Sequence, residues 1–138
     1  MAEKWVRWQP AEDVSGRLDL YSISEGQEAL KIVLYDWDNK DKKIFLTFDS
    51  FLGAYRKTYE TFRSELISSI HKQYGKEFFI RCSFFKVHNS EYVQWLSEQS
   101  NGSSDYPPFQ HMSLLLIDSV IDVISMEDPQ IQIVIDSE

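Results

Sequence analysis

The constraint that bears hardest on this chain is a strict two-residue alternation of apolar side chains, a pattern that only an extended strand can turn to one face. In ALKIVLYD, Leu30, Ile32 and Leu34 alternate with Lys31, Val33 and Tyr35; in KIFLTF, Ile44, Leu46 and Phe48 alternate with Phe45 and Thr47. RLDLYSIS precedes both, joined through Glu25-Gly26-Gln27, which has the composition of a hairpin turn. DNKDK is expected to turn the chain between the other two, giving three successive antiparallel strands. Later, EFFIRCSFFKV is apolar on both faces and reads as a central strand. HMSLLLI, VIDVIS and IQIVI read as two or three more, the last alternating Ile131, Ile133 and Ile135 with Gln130, Gln132 and Val134. That last stretch is also a possible edge through which the chain could join a larger assembly.

Between these halves the period changes. Phe51, Tyr55, Tyr59, Phe62, Leu66 and Ile70 are spaced by three and four, which predicts a long amphipathic helix. Asp49 or Ser50 would cap it and Gly75 would stop it. Asn89-Ser90 is expected to cap a short helix through EYVQWLSEQ, with Tyr92, Trp95 and Leu96 on one face. QSNGSSDYPP reads as a surface loop, and KWVRWQP as an N-terminal strand or arm that packs Trp5 and Trp8. The expected fold is α+β: a mostly antiparallel sheet of about six strands, one long helix and one short one, forming a single domain over residues 1–138.

Charge is distributed unevenly. All 14 Lys and Arg lie in residues 1–86, whereas residues 87–138 carry nine Asp and Glu and no Lys or Arg; the chain totals −8. A net charge of that sign repels phosphate backbones and anionic lipid, so neither nucleic acid nor a membrane surface is an expected partner. No apolar run has the length of a membrane span, and the start lacks a signal-peptide core. The single cysteine, Cys82, permits no internal disulfide and fits a reducing compartment, so a cytoplasmic location is expected.

Catalytic and cofactor motifs fail on inspection. The five glycines are scattered, with no phosphate loop, nucleophile elbow or zinc-protease signature. DWDNKDKK begins like a calcium loop, but Lys40 occupies a ligand position and Asp41 the glycine position. Cys82 sits in an apolar run and reads as an inert thiol. His71 falls one residue after a core position and should face water. No cofactor or metal is expected, and the chain reads as a binder rather than an enzyme. The alternative is a small-ligand binder or enzyme with an aromatic pocket containing His88 or His111. A deep pocket lined by either, beside a perturbed carboxylate, would favour that reading.

Three stretches, FDSFLGAYR, FFKVHNSEYVQWLSEQS and HMSLLLIDSVIDVIS, occur in an order that resembles small acidic bacterial immunity proteins encoded beside polymorphic or contact-dependent toxins. The corresponding elements are Tyr55-Arg56, Asn89 through Trp95, His111 and Ile121 through Val123, and the resemblance spans roughly residues 45–126. It implies a protein that binds and blocks the C-terminal domain of a cognate toxin, and such toxins are often nucleases with basic clefts. It assigns no binding residues. The late carboxylates Asp105, Asp118, Asp122, Glu127 and Asp128 are expected to build one negative face for such a cleft, with Trp37 or Tyr106 as an aromatic anchor. Asp118 and Asp122 share a face only if the strand between them is regular.

Overall fold

A computed structural model describes residues 2–10, 16–79, 82–105 and 108–136. The fold is α+β, and the described residues form nine strands in two antiparallel sheets. The alternating segments form β1 (Lys4–Arg7), β2 (Leu18–Glu25), β3 (Ala29–Asp36), β4 (Asn39–Asp49), β5 (Ala54–Tyr59), β6 (Phe84–His88), β7 (Gln110–Leu115), β8 (Ser119–Ser125) and β9 (Gln130–Ile135). Two helices follow the expected sides of β6: α1 (Ser64–Tyr74) and α2 (Glu91–Gln99). One sheet runs β1-β6-β7-β8-β5 and the other β2-β3-β4-β9. Among the described residues no helix is long and apolar enough to cross a membrane.

Alternation decides the layers. From the four-stranded sheet, Leu30, Ile32, Leu34, Ile44, Leu46 and Phe48 face Phe84, Met112, Leu114, Ile121 and Val123 of the five-stranded sheet, and together they form the main core. The opposite face of the five-stranded sheet presents Trp5, Phe85, Val87, Leu115 and Val120 to Ile70 of α1. Tyr92 of α2 meets His111 on that face, edge to ring at 5.8 Å. The five-stranded sheet is thus covered on both sides, which is why all seven residues of β8 are buried.

Four expectations need correction. Six strands become nine in two sheets: β1, expected as a strand or an arm, pairs with β6, and β5 forms where a helix was expected. The tip after β3 is only Trp37-Asp38; Asp36 Oδ1 accepts the Asp38 N–H at 2.8 Å, and the lysine-rich stretch continues in β4. EFFIRCSFFKV enters its strand only at Phe84, after a 3-10 turn over Lys76–Phe79.

The fourth concerns the long helix. Residues 54–59 are strand, 60–63 a 3-10 turn, and only Ser64–Tyr74 is α-helical. A spacing of four is also two strand periods, so Phe51, Tyr55 and Tyr59 satisfy both geometries. The three-residue step to Phe62 is the first that a strand cannot meet, and the chain changes conformation there. Phe62 leaves the stripe and is 77% exposed, while Leu66 and Ile70 do pack as a helix face. Tyr and Thr favour the strand, and β8 supplies a partner, pairing Ala54 to Ile124 through Tyr59 to Ser119.

Gly53 permits that pairing. A Cβ there would lie 1.7 Å from the carbonyl oxygen of Ile124, so the two backbones approach more closely than any side chain tolerates. Gly53→Ala is expected to lower stability by about 3 kcal/mol. Urea unfolding should show a reduced midpoint with an unchanged slope.

Candidate functional site

The late acidic residues do not share a face. Asp118 precedes β8 while Glu127 and Asp128 follow it, and its seven residues separate the two ends by roughly 20 Å. Asp118 lies beside Asp19, whose Oδ1 accepts its N–H at 3.4 Å, at the same end as the Trp37 tip. At the other end, Asp128 accepts from Lys86 Nζ at 3.0 Å and from Gln110 Nε2 at 2.9 Å, so its charge is partly spent. Asp105 closes a separate 3-10 turn after α2. Trp37 is 37% exposed, with the Lys40 ammonium 4.9 Å from its ring centroid. Tyr106 lies outside the described residues.

Asp122 contradicts its expected surface role outright. It is fully buried, because its position on β8 alternates with Ile121 and Val123 and turns its side chain under the helices. A carboxylate there must be paired. Arg56, directly opposite on β5, donates Nε–H to Asp122 Oδ2 at 2.9 Å. Arg63, from the 3-10 turn, donates to the same oxygen at 3.1 Å. His111 Nε2 lies 2.7 Å from Oδ1, and its Nδ1 lies 2.7 Å from the Ser90 hydroxyl. Ser90 is the N-cap of α2, as the sequence predicts, its Oγ accepting the Val93 N–H at 3.1 Å. The Arg56 guanidinium lies over the Tyr92 ring at 4.3 Å. One carboxylate therefore ties β5, the 3-10 turn, β7 and α2 together.

Burial by itself would raise the Asp122 pKa. The hydrogen bond and charge of His111, and then those of Arg56, outweigh it and hold the group well below the usual carboxylate range. Nε2–H donates to Asp122, and Nδ1 and the Ser90 hydroxyl share one hydrogen between them. Burial also raises the Tyr92 phenol, against the opposing pull of Arg56. The Ser113 hydroxyl, opposite Asp122 on β7, is buried with no hydrogen-bond partner among the described residues.

Serine, histidine and carboxylate in series are the members of a nucleophilic triad, but each is loaded differently here. Nδ1, not Nε2, faces the hydroxyl. That hydroxyl already holds a helix N–H, and two guanidiniums share the carboxylate charge that would stabilise an imidazolium. This is the bonding pattern of a network that holds elements in place.

Two open clefts flank α2 above the network, and Trp95 lines both. One, of about 460 Å³, has Arg56, Arg63 and Tyr92 as its floor and Phe62, Trp95, Glu65 and Glu91 around it. Glu3 also lines it and accepts the Glu91 N–H at 2.8 Å, an acid at the start of a helix. The other, of about 800 Å³, is lined by both His88 and His111 together with Ser90, Trp95 and Gln110. His111 thus meets a perturbed carboxylate beside a cleft, but the cleft is open rather than the deep pocket that the ligand-binding alternative calls for. Among the described residues no group of three or more His, Cys, Asp or Glu gathers to hold a metal. His71, expected in water, is half-buried on α1, and Cys82 is buried with its thiol on the Phe84 carbonyl at 3.3 Å.

Comparison with protein-family models, with curated proteins and with solved structures finds no match to this chain. The structure does converge the stretches quoted for the resemblance: Arg56, Ser90, Tyr92, His111 and Asp122 all belong to one network. An aspartate inside the apolar run VIDVIS was the available signal for a buried ion pair. Nothing in the sequence singled out Arg63.

Asp122→Asn is expected to destabilise the fold by roughly 1.5–3 kcal/mol, since it removes the charge from a buried group that Arg56, Arg63 and His111 all bond. The folded pKa of Asp122 is depressed, so its contribution is complete above the unfolded value of about 4 and is lost as pH falls through the lower folded value. Denaturant unfolding measured from neutral to acid pH should show that acid limb in the wild type and a flatter one in Asp122→Asn.

Proposed function

We propose that this chain is an immunity protein that neutralises a cognate toxin domain, a basic nuclease, by binding to it. The observation that carries this reading is the aromatic pair at the smaller cleft. Phe62 is 77% and Trp95 47% exposed, above a floor of Arg56 and Tyr92. Trp, Tyr and Arg dominate the energetics of protein interfaces when a rigid surround excludes water from them. The buried carboxylate supplies the rigidity by fixing Arg56 and, through His111 and Ser90, the start of α2. Glu65 and Glu91 at the rim give a basic partner complementary charge, and the net −8 steers its approach. The contact residues in this reading are those around the cleft, rather than the late carboxylates.

The test is binding to the C-terminal toxin domain encoded beside this chain, followed by calorimetry. Phe62→Ala with Trp95→Ala is expected to weaken affinity by about 100-fold. Reversing Asp105 and Asp128 to Lys should change it by no more than about threefold. Undiminished affinity in the aromatic double variant would remove the cleft from the interface.

A second reading, a small-ligand binder or hydrolase, draws on the larger cleft, where Ser90 and His111 line the wall beside His88 and Asp122 lies buried behind His111. Turnover of an activated ester that Ser90→Ala abolishes, while the variant stays folded, would favour it over the binding role. The immunity reading expects no such turnover.

A further inference from the structure

Four strands form the edges of the two sheets, and three of them carry the features that deter pairing with another chain. β1 has only four residues, two of them the charged Lys4 and Arg7. β2 carries Asp19 and Glu25, and its register shifts between Leu20 and Ser22. β5 carries Arg56 and Lys57 and runs directly into the 3-10 turn. β9 has none of these. QIQIVI holds no charge and no proline, and pairs with β4 in six regular steps from Lys42–Ile135 to Thr47–Gln130.

Its side chains are also incompletely covered. Ile131, Ile133 and Ile135 share the core-facing side; the first two pack against the main core, but Ile135 is 59% exposed. From this uncharged, regular edge we infer that β9 pairs antiparallel with β9 of a second copy of this chain, joining two four-stranded sheets into one of eight. The two-fold axis passes at Ile133. That register sets Ile135 against Ile131 of the other copy and continues the isoleucine row across the junction, whereas an axis at Gln132 would leave Ile135 opposite Pro129. On the outer side it sets Gln132 opposite Val134. An isologous contact of this kind brings no like charges together within the strands, although each chain carries −8. The inference does not rest on the immunity reading, because the aromatic cleft lies over the other sheet.

A six-residue edge buries little area, so the dimer belongs to the weak end of specific interfaces and its population depends on concentration. Sedimentation velocity on the whole chain, from about 5 to about 500 µM, tests it. The wild type is expected to pass from monomer to dimer across that range. Gln132→Glu with Val134→Glu places acids opposite acids across the axis and should stay monomeric throughout. Gln132→Lys with Val134→Glu places opposite charges there and should dimerise at least as well as the wild type. Both changes face solvent, and the glutamate at 134 stands beside Lys43 in the monomer, so circular dichroism should show the same fold in all three. A wild type monomeric at every concentration, a double-glutamate variant that dimerises undiminished, or a charge-swapped variant that does not dimerise would each overturn the inference.

Discussion

The buried charge of Asp122 is the constraint on which the arrangement of the helix-covered face depends. Removing a carboxylate from water costs several kcal/mol, and that cost is met only if its partners arrive from fixed directions. Arg56 comes from the neighbouring edge strand, Arg63 from the turn that follows it, and His111 from the strand on the other side. His111 extends the requirement to Ser90, and Ser90 to the first turn of α2. Hydrophobic packing would hold these elements near one another without specifying their register. Directional bonds to one carboxylate do specify it.

That fixity has consequences at the surface. The first turns of α2 stand between two clefts, and their position is set from below by the Ser90 cap and from the side by Glu3. Arg56 serves two environments: one edge of its guanidinium pairs with the buried carboxylate while its face lies on Tyr92 at the cleft floor. Phe62 and Trp95 are therefore presented on a pre-organised support. Recognition from such a support loses less ordering entropy than recognition by mobile side chains. The uneven charge along the chain contributes a general negative field, not a single acidic face.

The two sheets divide the work. The five-stranded sheet is buried on both sides and carries the polar network on its helix-covered face. The four-stranded sheet contributes one face to the main core and leaves Tyr21, Val134 and part of Trp37 in contact with solvent on its outer side and tip. Edges follow the same division. Charge, brevity or irregular register guard three of them, and β9 alone continues the isoleucine row without a guard.

The sequence by itself determined the α+β class, the hairpin of β2 and β3, the later strands, and the Ser90-capped helix. In each case the deciding information is local: a period of two, a turn residue, or a side chain within reach of a backbone N–H three residues on. Tertiary structure decided what local pattern leaves degenerate. A spacing of four fits strand and helix alike, so Phe51 to Tyr59 became strand only because β8 offered a partner and Gly53 allowed the approach. Charge counting marked Asp122 as acidic without saying which way a strand residue points. The presence of three cationic or imidazole partners, 11 to 66 residues away along the chain, is what made its burial tolerable. Contacts of that separation leave no trace in local periodicity, and they are the ones that assemble the site.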